Sequence, residues 1–175
     1  VYALSIMLLK ESRWIKQDKS LKQIFLREIT LYQAYKNILM QFPTRLIHGD
    51  LTRNNLLMAV TGRLKAVIDF DDAYFDSEII ELSTLARAVC FNKQSQFDLK
   101  SSKNFYETLC RKQLLSSITF NNFIDVLRYT CFKFIVHILY HDEFVRRTDN
   151  FNFFDDYNKY VSLVGIIRKA NIDSK

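Results

Sequence analysis

The sequence predicts a mainly helical chain with one small β-hairpin. Three observations carry that expectation. Only three glycines and one proline occur in 175 residues, too few for a turn-rich β-fold. Several long stretches place apolar residues every three or four positions, the period of a helix with one buried face. One short segment, residues 56–68, breaks that rhythm and reads as strand, Thr61-Gly62 turn, strand.

The elements follow in order. Leu4, Met7, Leu8, Trp14 and Ile15 predict a helix over 2–16. Leu21, Ile24, Phe25, Ile29, Tyr32, Tyr35, Ile38 and Leu39 share one face of a helix over 20–40, with Ser20 as N-cap and Pro43 at its exit. After the hairpin, a helix over 78–91 starts on Glu78 and Glu81, acids that suit its N-terminal dipole. The polar run 92–104 reads as a loop and 105–115 as a short helix. The strongest late helix spans 120–141, capped by Thr119 or Asn121, with Phe123, Ile124, Leu127, Cys131, Phe134, Ile135, Ile138 and Leu139 in register. A last helix covers 154–170. His137 lies beside this apolar stripe and reads as a core histidine. Its spacing to His141 lacks the Glu that an H-E-x-x-H zinc motif requires.

Composition narrows the function classes. Half of the residues are apolar and aromatic residues abound, which supports one packed core rather than disorder. Cys90, Cys110 and Cys131 are odd in number and far apart, so neither a disulfide framework nor a zinc site is indicated, and buried free thiols in a reducing cytoplasm are expected. The +6 net charge is spread over scattered lysines and arginines, with no dense basic block to suggest nucleic acid as a partner. The apolar start, Val1 to Leu9, ends at Lys10-Glu11 without a signal-peptide cleavage pattern. The apolar run Tyr129 to Tyr140 is too short to span a bilayer, so no membrane partner is expected. Acids concentrate in one place: Asp69, Asp71, Asp72, Asp76, Glu78 and Glu81.

That acidic place adjoins the most informative segment. Leu46-Ile47-His48-Gly49-Asp50-Leu51-Thr52-Arg53-Asn54-Asn55 is followed, across the hairpin, by Ile68-Asp69-Phe70. Asp50 and Asn55 reproduce the D-x-x-x-x-N step of a phosphotransferase loop, and Asp69 falls where a metal-binding Asp follows. Phosphoryl transfer needs an aligned hydroxyl, neutralised phosphates and a base within reach of the hydroxyl proton. Asp50 is assigned the base. Asn55 and Asp69 are assigned as magnesium ligands, one neutral oxygen and one carboxylate, which limits negative charge beside an anionic nucleotide. His48 is expected to fix the loop through backbone hydrogen bonds, and Gly49 to permit a close approach or unusual dihedrals. Alone, Asp50 could be a helix cap and Gly62 an ordinary turn; the conjunction of loop, hairpin and second Asp points to phosphoryl chemistry.

The stretch His48-Gly49-Asp50-Leu51 with Asn55, then Val67-Ile68-Asp69-Phe70-Asp71-Asp72-Ala73, resembles the aminoglycoside phosphotransferase and choline kinase superfamily. The resemblance covers residues 46 to about 88. It implies a kinase-like C-terminal lobe, with Asp50 as catalytic base, Asn55 and Asp69 as magnesium ligands, and ATP or GTP as phosphoryl donor. The acceptor it implies is a small-molecule hydroxyl of the aminoglycoside, amino-alcohol or hydroxy-amino-acid class. Glu81 stands where the family has a supporting Asp, and Thr52-Arg53 stand where it commonly has His-Pro. Asp71, Asp72, Asp142, Asp155 and Asp156 are candidates to hold an acceptor's amino group.

None of Gly49, Gly62 and Gly165 belongs to a phosphate-covering G-x-G-x-x-G loop, and no strand-borne Lys is evident in the first 47 residues. Residues 1–175 are therefore expected to form the C-terminal lobe of a cytoplasmic phosphotransferase, inactive alone, whose N-terminal nucleotide-binding lobe is a partner outside this chain. The same motif also resembles the small atypical protein kinases of the tRNA-modification complex. A third alternative is a scaffold lobe without catalysis.

Overall fold

A computed structural model describes residues 1–115, 117–148 and 154–172. Helices dominate it: α1 (Tyr2–Glu11), α2 (Arg13–Gln17), α3 (Lys19–Leu39), α4 (Glu78–Val89), α5 (Leu99–Arg111), α6 (Phe120–Tyr140) and α7 (Phe154–Ile172). Four short strands, β1 (Thr44–Ile47), β2 (Leu56–Met58), β3 (Leu64–Val67) and β4 (Tyr74–Ser77), form two antiparallel pairs, β1 with β4 and β2 with β3. The chain divides into two compact units: residues 1–36 with 128–175, and residues 37–127. The boundaries fall inside α3 and α6.

In the first unit, Ser12 divides what the apolar pattern reads as one helix. Its backbone is extended, its hydroxyl oxygen accepts from Ile15 N–H, and it donates to Glu143 Oε2 at 2.5 Å. Glu143 also accepts from Arg13 N–H at 2.7 Å. That second acceptor comes from a π-helical turn, His141–Val145, 130 residues along the chain, so no local pattern contains it. Asp18, not Ser20, caps α3: its Oδ1 accepts from Ser20 and Leu21 N–H at 2.8 and 3.0 Å. His137 is exposed, not a core residue; the buried stripe of α6 runs through Ile135, Val136 and Leu139 and passes it by. Phe25 of α3 meets Phe132 of α6 edge to face, with centroids 5.0 Å apart.

The same unit buries a carboxylate. Glu28 of α3 accepts from the phenols of Tyr35 and of Tyr160, the latter at 2.5 Å, and lies 3.6 Å from Arg128 Nε. Arg128 also donates to Tyr35 Oη at 2.7 Å. Burial and the Glu28 charge push both phenols well above the ordinary tyrosine range, so they stay protonated donors. An apolar pattern cannot flag Glu28, yet it sits seven residues before Tyr35 on the face that the pattern identified.

In the second unit, β1 and β4 lie outside the one hairpin that the sequence predicts. They pair through Leu46↔Phe75 and Ile47↔Tyr74, partners nearly thirty residues apart in sequence, and each is too short to show an alternating pattern. The hairpin β2–β3 forms as expected, with Leu56 opposite Val67, Gly62 at φ +77° and a bulge at Leu57/Met58. The polar run 92–104, expected as loop, contains the first six residues of α5, which starts at Leu99. Asp98 caps it, accepting from Lys100 and Ser101 N–H. Its lysines and asparagine form an exposed face, while Ser102 and Leu109 are buried. Thr119 caps α6, accepting from Asn122 N–H. Cys90 and Cys131 are buried free thiols, and Cys110 is only half-buried.

Glu28→Ala strands the Arg128 charge inside the first unit, and breaking a buried pair this way costs about 3–5 kcal/mol. Tyr160→Phe removes one hydrogen bond to a charged acceptor and costs about 1.5–3 kcal/mol. Urea titrations read by the fluorescence of Trp14, the only tryptophan and a residue of that unit, check both values. A Glu28→Ala variant as stable as the parent would show that the cluster is not a structural anchor.

Candidate functional site

The loop of interest lies in the second unit, between β1 and β2. β1 ends at Ile47, and the next two backbone N–H groups point at one side chain: His48 N–H donates to Glu81 Oε1 at 2.8 Å and Gly49 N–H to Glu81 Oε2 at 3.3 Å. Glu81 lies in the first turn of α4, so a helix bound to the sheet through β4 anchors the loop. Its two carboxylate oxygens take both donors.

Gly49 is obligatory on two counts. Its φ is +83°, and a Cβ there would lie 2.4 Å from the Asp72 carbonyl oxygen and 2.9 Å from the Tyr74 ring. His48 is buried and uses both ring nitrogens: Nε2 donates to the Ile68 carbonyl at 2.7 Å, and Nδ1 accepts from Asp50 N–H at 3.3 Å. These partners select the neutral Nε2–H tautomer. The Phe70 ring covers the imidazole, centroids 4.5 Å apart. His48 thus ties the loop before Asp50 to the strand end before Asp69.

Asn55 makes the second tie. It ends a 3-10 turn, Arg53–Asn55, and is buried. Its Nδ2 donates to the Asp50 carbonyl at 2.8 Å and to Asp50 Oδ2 at 3.1 Å, while its own backbone carbonyl accepts from Ile68 N–H at 3.0 Å. With Nδ2 committed, Oδ1 receives no donor among the described residues. Asp69 takes a left-handed backbone, φ 66°, which an Asp tolerates better than most residues, and its carboxylate is exposed with no hydrogen bond or ion pair among the described residues.

Burial pushes the Asp50 carboxyl above its ordinary range. Buried Arg87 of α4 and the Asn55 hydrogen bond oppose that rise, and the Asp72 charge adds to it. Arg87 and Tyr74 escaped the sequence reading. The signal for Arg87 was a cation within the apolar stretch Leu85 to Cys90, since a buried charge needs a counter-charge. Tyr74 carried none, because its approach to Gly49 depends on the β1–β4 pairing. Asp71 and Asp72 are exposed beside the loop. Asp142, Asp155 and Asp156 belong to the other unit, where Asp142 is buried and paired with Arg146, and Asp155 is paired with Lys159.

As a cation site, Asn55 and Asp69 offer one free carboxamide oxygen and one free carboxylate. Such an all-oxygen set suits magnesium, which takes one or two carboxylates and completes its shell with phosphate and water. Among the described residues, no group of three or more His, Cys, Asp or Glu side chains is placed to hold a metal without such help.

Gly49 and Gly62 make a controlled pair. Gly62→Ala meets open space and incurs only the left-handed backbone cost, about 1–2 kcal/mol. Gly49→Ala adds a collision with backbone, so its urea midpoint falls further. Equal losses would contradict the close approach. Asp50→Asn tests burial. Because the folded chain raises this carboxyl's pKa, the folded state holds the proton longer, and stability is lost as pH rises from the ordinary carboxylate value through the folded one. Asp50→Asn is therefore expected to be more stable than the parent at neutral pH without magnesium, with the gap closing in acid. Circular dichroism during urea titration at several pH values measures it; a less stable variant at neutral pH would remove burial as the dominant influence.

The family model APH, described as the phosphotransferase enzyme family, matches residues 8–109, more than half of the chain and all of the loop, hairpin and Glu81. No curated protein matches the chain.

Proposed function

The chain belongs to the phosphotransferase enzyme family, and from that premise we propose that it transfers the terminal phosphoryl group of ATP or GTP to a small-molecule hydroxyl. One observation carries this reading: Asn55 bonds Asp50 through its side chain and Ile68, the neighbour of Asp69, through its backbone. Base and metal carboxylate thus flank a single buried carboxamide.

In this reading Asp50 orients the acceptor and takes its proton as the oxygen–phosphorus bond forms and the nucleoside diphosphate leaves. Partial burial keeps Asp50 a better proton acceptor than a solvated carboxylate, while Arg87 and Asn55 hold it in its charged form. Asn55 Oδ1 and Asp69 would hold magnesium, which supplies charge neutralisation at the phosphates. His48, Gly49 and Glu81 are positioning residues, because they touch the loop and not the reacting atoms.

The phosphate-covering elements are assigned to polypeptide outside these residues. The sequence holds no glycine-rich loop, and Leu46, Ile68, Phe70 and Phe75 near the site expose large apolar surface that such a lobe would cover. Among the described residues no helix is long and apolar enough to cross a membrane. Amino alcohols, aminoglycosides and hydroxy amino acids are the acceptor classes to screen.

The test is nucleotide consumption by the full-length protein across those classes. Asp50→Asn is expected to lower turnover by about 10²–10⁴ with nucleotide affinity nearly unchanged. Asp69→Asn tolerates the left-handed backbone but removes the charge, so magnesium-dependent nucleotide binding weakens together with rate. Phosphoryl transfer that survives Asp50→Asn intact would overturn the assignment.

A further inference from the structure

The β2–β3 hairpin has a second end that the proposed chemistry does not use. At its turn, Val60 is fully exposed, and the cross-strand partners Met58 and Leu64 are each 56% exposed. Nothing lies within 4 Å of the Cβ direction of Gly62. Arg63 and Lys65 flank Leu64; both are exposed and make no ion pair or side-chain hydrogen bond among the described residues. Residues 51–68 carry Arg53, Arg63 and Lys65 but no Asp or Glu. The tip is thus a convex, aliphatic point with unpaired cations beside it.

We propose that this tip is a peripheral contact for an anionic lipid surface, with Met58, Val60 and Leu64 entering the headgroup–acyl boundary and Arg63 and Lys65 meeting the headgroups. Charge complementarity and shape carry the choice. Apolar side chains on a projecting turn enter a deformable phase without needing a matching pocket, and flanking cations add attraction to anionic lipid. A single-stranded nucleic acid would call for stacking rings, and residues 51–68 contain no aromatic side chain. The hairpin also separates opposite charges. Asp50 and Asp69 lie at its base, and a four-residue strand at about 3.3 Å per residue sets them roughly 13 Å from the tip. That exceeds the screening length of about 8 Å at physiological salt, so the acids oppose the contact only weakly. The contact is peripheral and differs from the sequence-based expectation of no membrane partner, which rested on the lack of a spanning segment.

The experiment is sedimentation of the full-length protein with phosphatidylcholine vesicles, with and without about one-third phosphatidylserine. Binding is expected only with phosphatidylserine, and it should weaken as salt rises. Reversing both charges, R63E with K65E, should lower the partition coefficient about tenfold or more, since each basic residue near such a surface contributes several-fold. Val60→Asp should lower it comparably. Val60→Ser, which adds no charge, should give a smaller loss. Unchanged urea midpoints would show that these exposed substitutions leave the fold alone. Equal binding to neutral vesicles, no binding at low salt, or variants that bind like the parent would each overturn the proposal. Capture by polyglutamate but not by vesicles would also overturn it, assigning the tip to an acidic protein instead.

Discussion

The site depends on one carboxylate spanning two successive backbone N–H groups. Glu81 reaches from the first turn of α4 to His48 and Gly49, immediately before Asp50. Without it, two donors in a buried stretch would lack partners, a cost comparable to a lost hydrogen bond each. The bonds also fix the direction in which the chain leaves β1. From there His48 reaches Ile68, and Asn55 reaches Asp50 and Ile68, so each further tie starts from a loop already held. The extra methylene of Glu relative to Asp does not prevent this reach; it lets one side chain serve both donors.

Two buried acids illustrate different uses of burial. Glu28 is fully enclosed, and its charge is answered by two phenols and a guanidinium. That arrangement joins α3, α6 and α7 and leaves nothing for a ligand. Asp50 is half-buried, and among the described residues its carboxylate takes a single side-chain donor, from Asn55. Its environment raises its proton affinity rather than suppressing it. A structural acid is stabilised by being satisfied; an acid proposed to accept a proton, as Asp50 is, must remain incompletely satisfied, at some cost in stability.

The local chemistry of the chain made much of this legible. The apolar faces of α3 and α6 follow a 3.6-residue period, so their extents came within a few residues. The hairpin announced itself through Thr61-Gly62 between apolar runs, and the spacing of His48, Gly49, Asp50, Asn55 and Asp69 identified the loop. Errors arose where the deciding partner is remote. Ser12 breaks a helix with help from Glu143, and β1 exists because β4 pairs with it. The start of α5 was hidden by a polar face whose buried side contributes few apolar residues.

By itself, then, the sequence determined the loop that carries the candidate site residues and most of the helical segments, because both are written in short-range spacing. Only the tertiary structure decided how those residues are held. It placed Glu81 on two N–H groups, selected the Nε2–H tautomer of His48, turned Asn55 Nδ2 toward Asp50 and left Oδ1 free, and brought Arg87 into the field of Asp50. Each outcome needs two segments separated by a strand pair or a helix to meet at hydrogen-bond or electrostatic range. Such meetings follow from packing and pairing across the chain, which no local period encodes.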